Sequence, residues 1–205
     1  KPQHAALLCL GDVTPEEGFA ALRKIAHSAL EPAGLAYLPA GMLDEAGLSH
    51  VGLGAALIKL EGAAAPLEEK IALAHGLLGD RLQRIEGDPF PAIGSGEKFA
   101  GLDGDVWRVM IAPLDAARVA KELNARHWLG DWAGGVIWLA AAPGEAARIR
   151  KLAADAKGQA MLLRAGSESR ALHGLYAAQP PALAALSRAV KAAFDPLSLF
   201  NPNRL

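Results

Sequence analysis

One arginine lies in a strand-like stretch whose other side chains are mostly apolar. Residues 105–112 alternate with a period of two, which predicts a β-strand that carries Trp107 and Arg108. A charge within such a strand either faces solvent or lines a site that takes an anion, and the planar guanidinium binds carboxylates bidentately. We predict that Arg108, with Trp107 beside it, binds a substrate carboxylate. A solvated strand face is the alternative.

A second feature is an acid and an indole that meet at a predicted tight turn. Residues 131–135 have the sequence DWAGG, in the half of the chain that holds all four tryptophans: Trp107, Trp128, Trp132 and Trp138. Tryptophans on neighbouring strands form either packed core or an aromatic wall of a substrate cleft. The sequence leaves both interpretations open.

The other reactive residue types form no recognisable motif. The six histidines are spread singly, without H-x-H, H-E-x-x-H or C-x-x-C spacing, so we predict neither metal ligands nor a catalytic residue. The serine of 94–96 lacks the strand–elbow–helix setting of a hydrolase. No G-x-G-x-x-G occurs, and the glycines at 94–96 and 134–135 fall in a predicted loop and a hairpin turn. Neither predicts a phosphate-binding turn.

Bulk composition narrows the class of protein. The chain has 205 residues, 52% of them hydrophobic, and a net charge of −1 without basic runs, which argues against nucleic acid or an anionic membrane as partner. A single cysteine, Cys9, excludes an intrachain disulfide and predicts a reducing, cytoplasmic compartment. No apolar stretch approaches the about 20 residues that cross a bilayer, and no signal peptide is visible. Because the chain starts at Lys1 without methionine, we expect a domain of a longer protein.

The predicted elements repeat once along the chain. The first half, about 5–86, has strands at 5–10, 34–39, 55–60 and 81–86, with helices beginning at a Thr14–Glu17 capping box and at Pro66. The second half, about 105–164, has strands at 105–112, 127–132, 135–140 and 159–164, with helices after 113–115 and over 144–157. Each half has the β-α-β/β-α-β order of a ferredoxin-like unit. We predict an α+β fold with one large antiparallel sheet and helices mainly on one face.

The C-terminal region, 180–205, is predicted to be a helix with an ordered tail. Ser167 or Ser169 is expected to cap a short helix before it. Pro196 and Pro202 each stop a helix, and a tail with two stops is expected to hold one conformation. The apolar anchors that we expect to tie it down are Phe194, Leu197, Leu199 and Phe200. A generic helix with a proline-rich stop is the alternative.

Several segments resemble known flavoproteins in the same order along the chain. The tail is similar to the F-D-P-x-x-x-F-N-P-G-R ending of FAD-linked oxidases of the vanillyl-alcohol oxidase and D-lactate dehydrogenase type, with Asn203 in place of glycine. Four further segments resemble the E subunit of bacterial glycolate oxidase. They are 56–62 (L-R-L-E-G in that family), 106–113 (W-R-x-S-x-P-P), 131–139 (D-W-x-G-G-x-x-W-L) and 158–165 (G-H-A-T-L-F-R-A).

The resemblance implies a role for the whole chain. Residues 1–205 would be the C-terminal cap or substrate domain of an FAD-dependent 2-hydroxy acid (glycolate) oxidoreductase subunit, with its N-terminal FAD-binding domain absent. Arg108 and Trp107 would contact the substrate, and Asn201 and Arg204 would line the flavin pocket. The implied partners are the FAD domain, other oxidase subunits and a small 2-hydroxy acid. The other subunits would also hold the protein at the inner face of the membrane. We expect the isolated chain to be inactive and to bind no FAD.

Some residues depart from the family pattern. Met110 replaces its serine and Gln159 its histidine, so contacts by those side chains do not carry over. The H-x-x-x-G-D-G-N motif of the lactate dehydrogenase subunit is also absent. The alternative function is a non-catalytic small-molecule-sensing or assembly module built from tandem ferredoxin-like units.

Overall fold

The computed structural model describes residues 3–43, 48 and 52–201. These residues form one eight-stranded antiparallel sheet in the order β4-β1-β3-β2-β6-β7-β5-β8, which confirms the α+β prediction. The strands are β1 (His4–Gly11), β2 (Gly34–Pro39), β3 (Gly54–Gly62), β4 (Leu82–Ile85), β5 (Asp105–Met110), β6 (His127–Asp131), β7 (Val136–Ala141) and β8 (Gln159–Arg164). The α-helices are α1 (Pro15–Ala26), α2 (Ala64–Leu78), α3 (Phe90–Ser95), α4 (Ala116–Leu123), α5 (Ala146–Asp155), α6 (Ser167–His173) and α7 (Pro181–Phe194).

The sheet order reflects two ferredoxin-like units placed edge to edge. β4-β1-β3-β2 and β8-β5-β7-β6 have the same internal arrangement, each with two crossover helices. The units meet where β2 pairs with β6, through the register pairs Ala36↔Asp131 and Tyr37↔Gly130. This short pairing makes the sheet continuous.

Side-chain alternation in the strands builds a core on each side of the sheet. On one side, named the helix face, helices α1, α2, α4 and α5 bury an apolar layer against the strands. On the other, named the second face, a smaller core is covered by α3 and by 3-10 turns at 40–42 and 97–99. The four long crossover helices thus share one face, as predicted.

Local sequence signals explain most element boundaries. The Thr14 backbone N–H donates to the Glu17 carboxylate at 2.9 Å and the Glu17 N–H donates to the Thr14 hydroxyl at 3.3 Å, which completes the predicted capping box. α3 lies in a stretch interpreted from sequence as a loop. The predicted serine cap of α6 is wrong: Gly166 occupies the N-cap position without a side-chain bond, and the Ser169 hydroxyl donates instead to the buried Asp105 carboxylate.

The tail is held by polar contacts and not by the predicted apolar anchors. Phe194 is 86% exposed, and the other three predicted anchors are also exposed, so their anchoring role is wrong for the described part of the chain. Asp195 instead accepts hydrogen bonds from the backbone N–H groups of Leu199 and Phe200, at 2.9 and 3.1 Å, and from the Lys191 ammonium at 2.7 Å. These bonds fold the chain back after α7. Residues 202–205 lie outside the described residues.

Phe19 joins the two units on the helix face. Its ring comes from α1 in the first unit, is fully buried, and lies 5.2 Å from the Tyr37 ring and 6.4 Å from the Trp128 ring. Gly130 of the second unit leaves the space that it fills, because a side-chain carbon there would overlap the ring. At Gly134 such a carbon would overlap Ala116 and would also press on the ring, at 3.1 Å. The ring and the two glycines are therefore complementary surfaces of the junction.

Phe19→Ala should destabilise the fold strongly. Removing a fully buried ring costs about 3–5 kcal/mol, through lost transfer free energy and the cavity left behind. Urea unfolding measures the change. Leu114→Ala is the control, because Leu114 is 80% exposed and such surface substitutions stay within about 0.5 kcal/mol. A Phe19→Ala loss no larger than that of the control would show that the junction does not depend on this ring.

Candidate functional site

Arg108 lies on the second face, between two indole rings. Its guanidinium carbon is 5.2 Å from the centre of the Trp132 ring and 5.4 Å from that of Trp138. Its partners in register are Trp138 on β7 and Met161 on β8. Cation–π contacts of this kind hold a guanidinium in one orientation and leave its edge free for hydrogen bonds.

The charge of Arg108 is only partly compensated. Its Nε is buried and has no hydrogen-bond partner, and none of the described carboxylates lies within ion-pair distance of the guanidinium. Asp131 acts on it at longer range, because the Arg108 charge lowers the pKa of that carboxyl group. A bound anion would balance the part of the Arg108 charge that the described residues leave unbalanced.

Asp131 is a buried acid at the end of β6. The residue is 7% exposed, and its carboxylate accepts a hydrogen bond from the Trp132 backbone N–H at 2.8 Å. Burial raises the pKa of Asp131, and this effect exceeds the lowering by the Trp132 bond and by Arg108. Burial therefore favours the neutral form of this carboxyl group more than in an ordinary surface aspartate.

The turn after Asp131 holds an exposed indole in an unusual backbone conformation. Trp132 has φ 52° and Ala133 has φ 54°, both in the left-handed region that non-glycine residues seldom adopt. Trp132 is nevertheless 62% exposed, so core packing does not explain its placement. Strained residues of this kind cluster at ligand sites, where the surroundings impose the conformation. Here the strain places the indole over Arg108.

Trp138 forms the inner wall of the same group. It is nearly fully buried, and its ring stacks on that of Phe99 at 6.4 Å between centroids. Phe99 belongs to the segment that follows α3, so this segment fixes the wall behind Arg108. Arg108, Asp131, Trp132 and Trp138 are named the Arg108 cluster. It offers a cation, a buried acid and an aromatic surface, which suit a planar or carboxylate-bearing ligand, and it contains no serine, threonine, cysteine or lysine.

The predicted site residues do not all come together. Trp107 is fully buried on the helix face, opposite to Arg108, so its predicted substrate contact is replaced by a core role. Successive strand side chains point to opposite faces, which is the physical reason. Asn201 is exposed in the tail, at a cavity of about 740 Å³ beside α7. Arg204 lies outside the described residues.

The sequence pointed to the other members of the cluster as unusual residues but did not predict a role for them. Asp131 and Trp132 stand out as an acid and an indole at a turn, but their approach to Arg108 arises from strand pairing across β5, β7 and β6. The tryptophans divide between the two interpretations: Trp107 and Trp138 are buried, and Trp132 is an exposed wall. Sequence spacing alone does not bring these residues together.

Two kinds of feature are absent from the described residues. In the ranges 3–43, 48 and 52–201, histidine, cysteine, aspartate and glutamate form no group of three or more able to hold a metal ion. Within the same ranges, no helix combines the length and the apolar character needed to span a membrane.

Comparison with known proteins gives a likeness in structure. No protein-family model matches the sequence, and none of the curated proteins matches it. Among solved structures, the chain is similar to alkyldihydroxyacetonephosphate synthase, with 14% identity and a TM-score of 0.49 over 99% of this chain. The chain covers 44% of that protein, which is less than half of its length. A likeness at this level does not identify an activity or a ligand.

Asp131→Asn should change how stability depends on pH. The pKa of Asp131 is raised in the folded protein. Its contribution to stability is therefore fully present below the pKa of the unfolded chain, about 3.9, and is lost as the pH rises through the folded pKa. Asparagine can still accept the Trp132 hydrogen bond but has no charge to desolvate. The free energy of unfolding of the variant minus that of wild type should therefore increase with pH across this window and then level off.

Chemical denaturation at a series of pH values measures this difference. Asp155→Asn is the control, because Asp155 is exposed at the surface and forms an ion pair with Lys151. If the difference falls with rising pH, the folded pKa of Asp131 is lowered. Arg108 and the Trp132 hydrogen bond would then outweigh burial in setting that pKa.

Proposed function

We propose that this chain is the C-terminal cap or substrate domain of an FAD-dependent 2-hydroxy acid oxidoreductase subunit, of the glycolate oxidase E-subunit kind. The Arg108 cluster carries the proposal. Arg108 belongs to the segment similar to W-R-x-S-x-P-P, and the other three members belong to the segment similar to D-W-x-G-G-x-x-W-L. Two segments that resemble the same family at separate places in the sequence thus contact each other around a cation whose charge is only partly compensated.

In this proposal Arg108 binds the carboxylate of the hydroxy acid. Its free N–H groups would make charge-assisted hydrogen bonds to the carboxylate oxygens, and the exposed Trp132 indole would cover one side of the substrate. FAD, when bound, would accept the hydride that leaves the substrate α-carbon. The share of this chain is to orient the substrate and to exclude water on the second face. We assign no catalytic residue, because the cluster holds no serine, threonine, cysteine or lysine and its acid, Asp131, is buried.

The exposed apolar surface of α7 and the tail supports the proposal that another domain packs against it. Its side chains recur along one helix and continue beyond it, and all are about half exposed or more: Leu183, Leu186, Val190, Phe194, Leu197, Leu199 and Phe200. An apolar patch of this extent marks an interaction surface. We propose that the N-terminal FAD domain of the same polypeptide covers it, with Asn201 and Arg204 as a wall of the flavin pocket. Other oxidase subunits and a cytoplasmic location complete the proposal.

A non-catalytic sensing or assembly module is the second candidate. The complete tandem ferredoxin-like topology favours it, because the Arg108 cluster could hold a ligand carboxylate without any flavin. The reading frame of the gene discriminates between the two. An FAD-domain coding segment upstream in the same frame supports the oxidoreductase, whereas a natural start near Lys1 supports the sensing module.

Arg108→Gln in the intact flavoprotein should raise KM for the 2-hydroxy acid by roughly 10- to 150-fold, because a bound carboxylate loses charge-assisted hydrogen bonds worth about 1.5–3 kcal/mol. Steady-state kinetics with glycolate measures the effect. Arg118→Gln removes the same charge from a surface helix and should leave KM unchanged. An unchanged KM in Arg108→Gln would overturn the substrate assignment, and unfolding of that variant would make Arg108 a structural residue.

FAD should bind the intact polypeptide and not this chain alone. Titration of the chain is expected to leave flavin fluorescence unchanged, since the proposed contribution of the chain is only one wall of the pocket. In the intact protein, Arg204→Ala should lower flavin retention during gel filtration with less effect on KM. Stoichiometric FAD binding by the chain alone at micromolar concentration would show that the cofactor site has been misplaced.

A further inference from the structure

A second cavity lies on the helix face, at the end of the sheet. Its volume is about 670 Å³, and it is enclosed by α5, the edge strand β8, the segment 176–180 and the start of α7. The chain meets β8 just before this segment, where the Leu162 N–H donates to the Leu175 carbonyl at 2.9 Å. Cavities of about 300–1,000 Å³ are the usual size of small-molecule sites.

One cation lines this cavity. Arg150 projects from α5, and its guanidinium carbon is 5.4 Å from the centre of the Trp107 ring. One Nη2 N–H donates to the Gly174 carbonyl at 3.1 Å, and Nε is buried without a hydrogen-bond partner. The side chain is thus held in place at two points, while most of its N–H groups have no acceptor among the described residues.

Arg150 differs from the other cations of its helix in having no counter-ion. Arg148 pairs with Glu145, and Lys151 pairs with Asp155. In the part of the chain that the structure describes, no carboxylate lies within ion-pair distance of Arg150, and burial alone lowers the pKa of its guanidinium. A partly desolvated cation without a counter-ion is unfavourable, and an anion in the cavity would remove that cost.

The remaining lining defines the ligand class. Gln159 and Gln179 contribute neutral polar groups, and Ala154, Pro180 and Leu183 contribute an apolar surface. A single cation beside an apolar wall suits a monoanion with a hydrocarbon body better than a phosphate dianion, which would need more positive charge. We propose that this cavity binds a small aliphatic monocarboxylate, with its carboxylate on Arg150 and its chain against the apolar wall.

This site is separate from the Arg108 cluster and does not depend on the proposed function. Trp107, on which Arg150 lies, and Arg108 are consecutive residues of β5 and point to opposite faces of the sheet. Ligand capture by Arg150 would alter the surroundings of the Trp107 ring. Tryptophan fluorescence should therefore report binding at this site.

The test titrates the chain with sodium hexanoate, followed by tryptophan fluorescence and calorimetry. Hexanoate should bind the cavity saturably, and both hexanamide and inorganic phosphate should bind it at least about tenfold more weakly, because they lack the single carboxylate charge or the apolar body. Saturable hexanoate binding should persist in Arg108→Gln, which removes any carboxylate bound at the Arg108 cluster and so separates the two sites. Tight binding of hexanamide or phosphate, or no saturable hexanoate binding at millimolar concentration, would overturn the proposal.

Two variants locate the site. Arg150→Gln should weaken hexanoate binding by about tenfold or more, and Ala154→Leu should do the same by filling the cavity while the charge is kept. Arg118→Gln, remote from the cavity, is the matched control and should bind as wild type. If Arg150→Gln fails to fold, Ala154→Leu decides. Unchanged binding in Ala154→Leu would place the hexanoate elsewhere and end the proposal.

Discussion

A single aromatic ring, packed over two glycines, spans the junction on which the continuous sheet depends. β2 and β6 share only two register pairs, so backbone hydrogen bonds alone give a narrow connection between the ferredoxin-like units. The Phe19 ring adds side-chain contacts to this connection, because the ring from α1 fills the space above Gly130 and Gly134. β6 then leads directly into Asp131 and the strained turn, so the position of the Arg108 cluster follows from this junction.

The cluster departs from the rules that the rest of the fold obeys. Trp132 and Ala133 have left-handed backbone conformations, Asp131 is buried with a raised pKa, and Arg108 keeps a buried Nε without a partner. Each is unfavourable by itself, and their concentration at one place is typical of a functional site. β5 also connects two cations, since Arg108 lies on its second face and Arg150 covers Trp107 on the helix face. The two anion sites that we propose therefore lie on opposite sides of one strand.

Local signals predicted much of the fold and less of the site. The strand Gly34–Pro39, the strand Gln159–Arg164 and the capping box of α1 follow from alternation and capping chemistry, which depend on neighbouring residues only. α3 was missed because a short Pro- and Gly-containing helix lacks periodicity. Alternation also placed Trp107 opposite to Arg108, although the site prediction joined them. The contacts of Arg108 with Trp132 and of Arg150 with Trp107 arise from strand and helix packing, which sequence spacing does not encode.

The most direct measurement is a structure of the intact polypeptide with FAD bound. The account predicts that the second face of the sheet closes over the isoalloxazine ring, with the Arg108 guanidinium and the Trp132 indole lining the substrate cavity in front of it. It also predicts that the apolar face of α7 packs against the FAD domain. A flavin bound against the helix face, or an Arg108 cluster that opens to bulk solvent away from the flavin, would contradict the account.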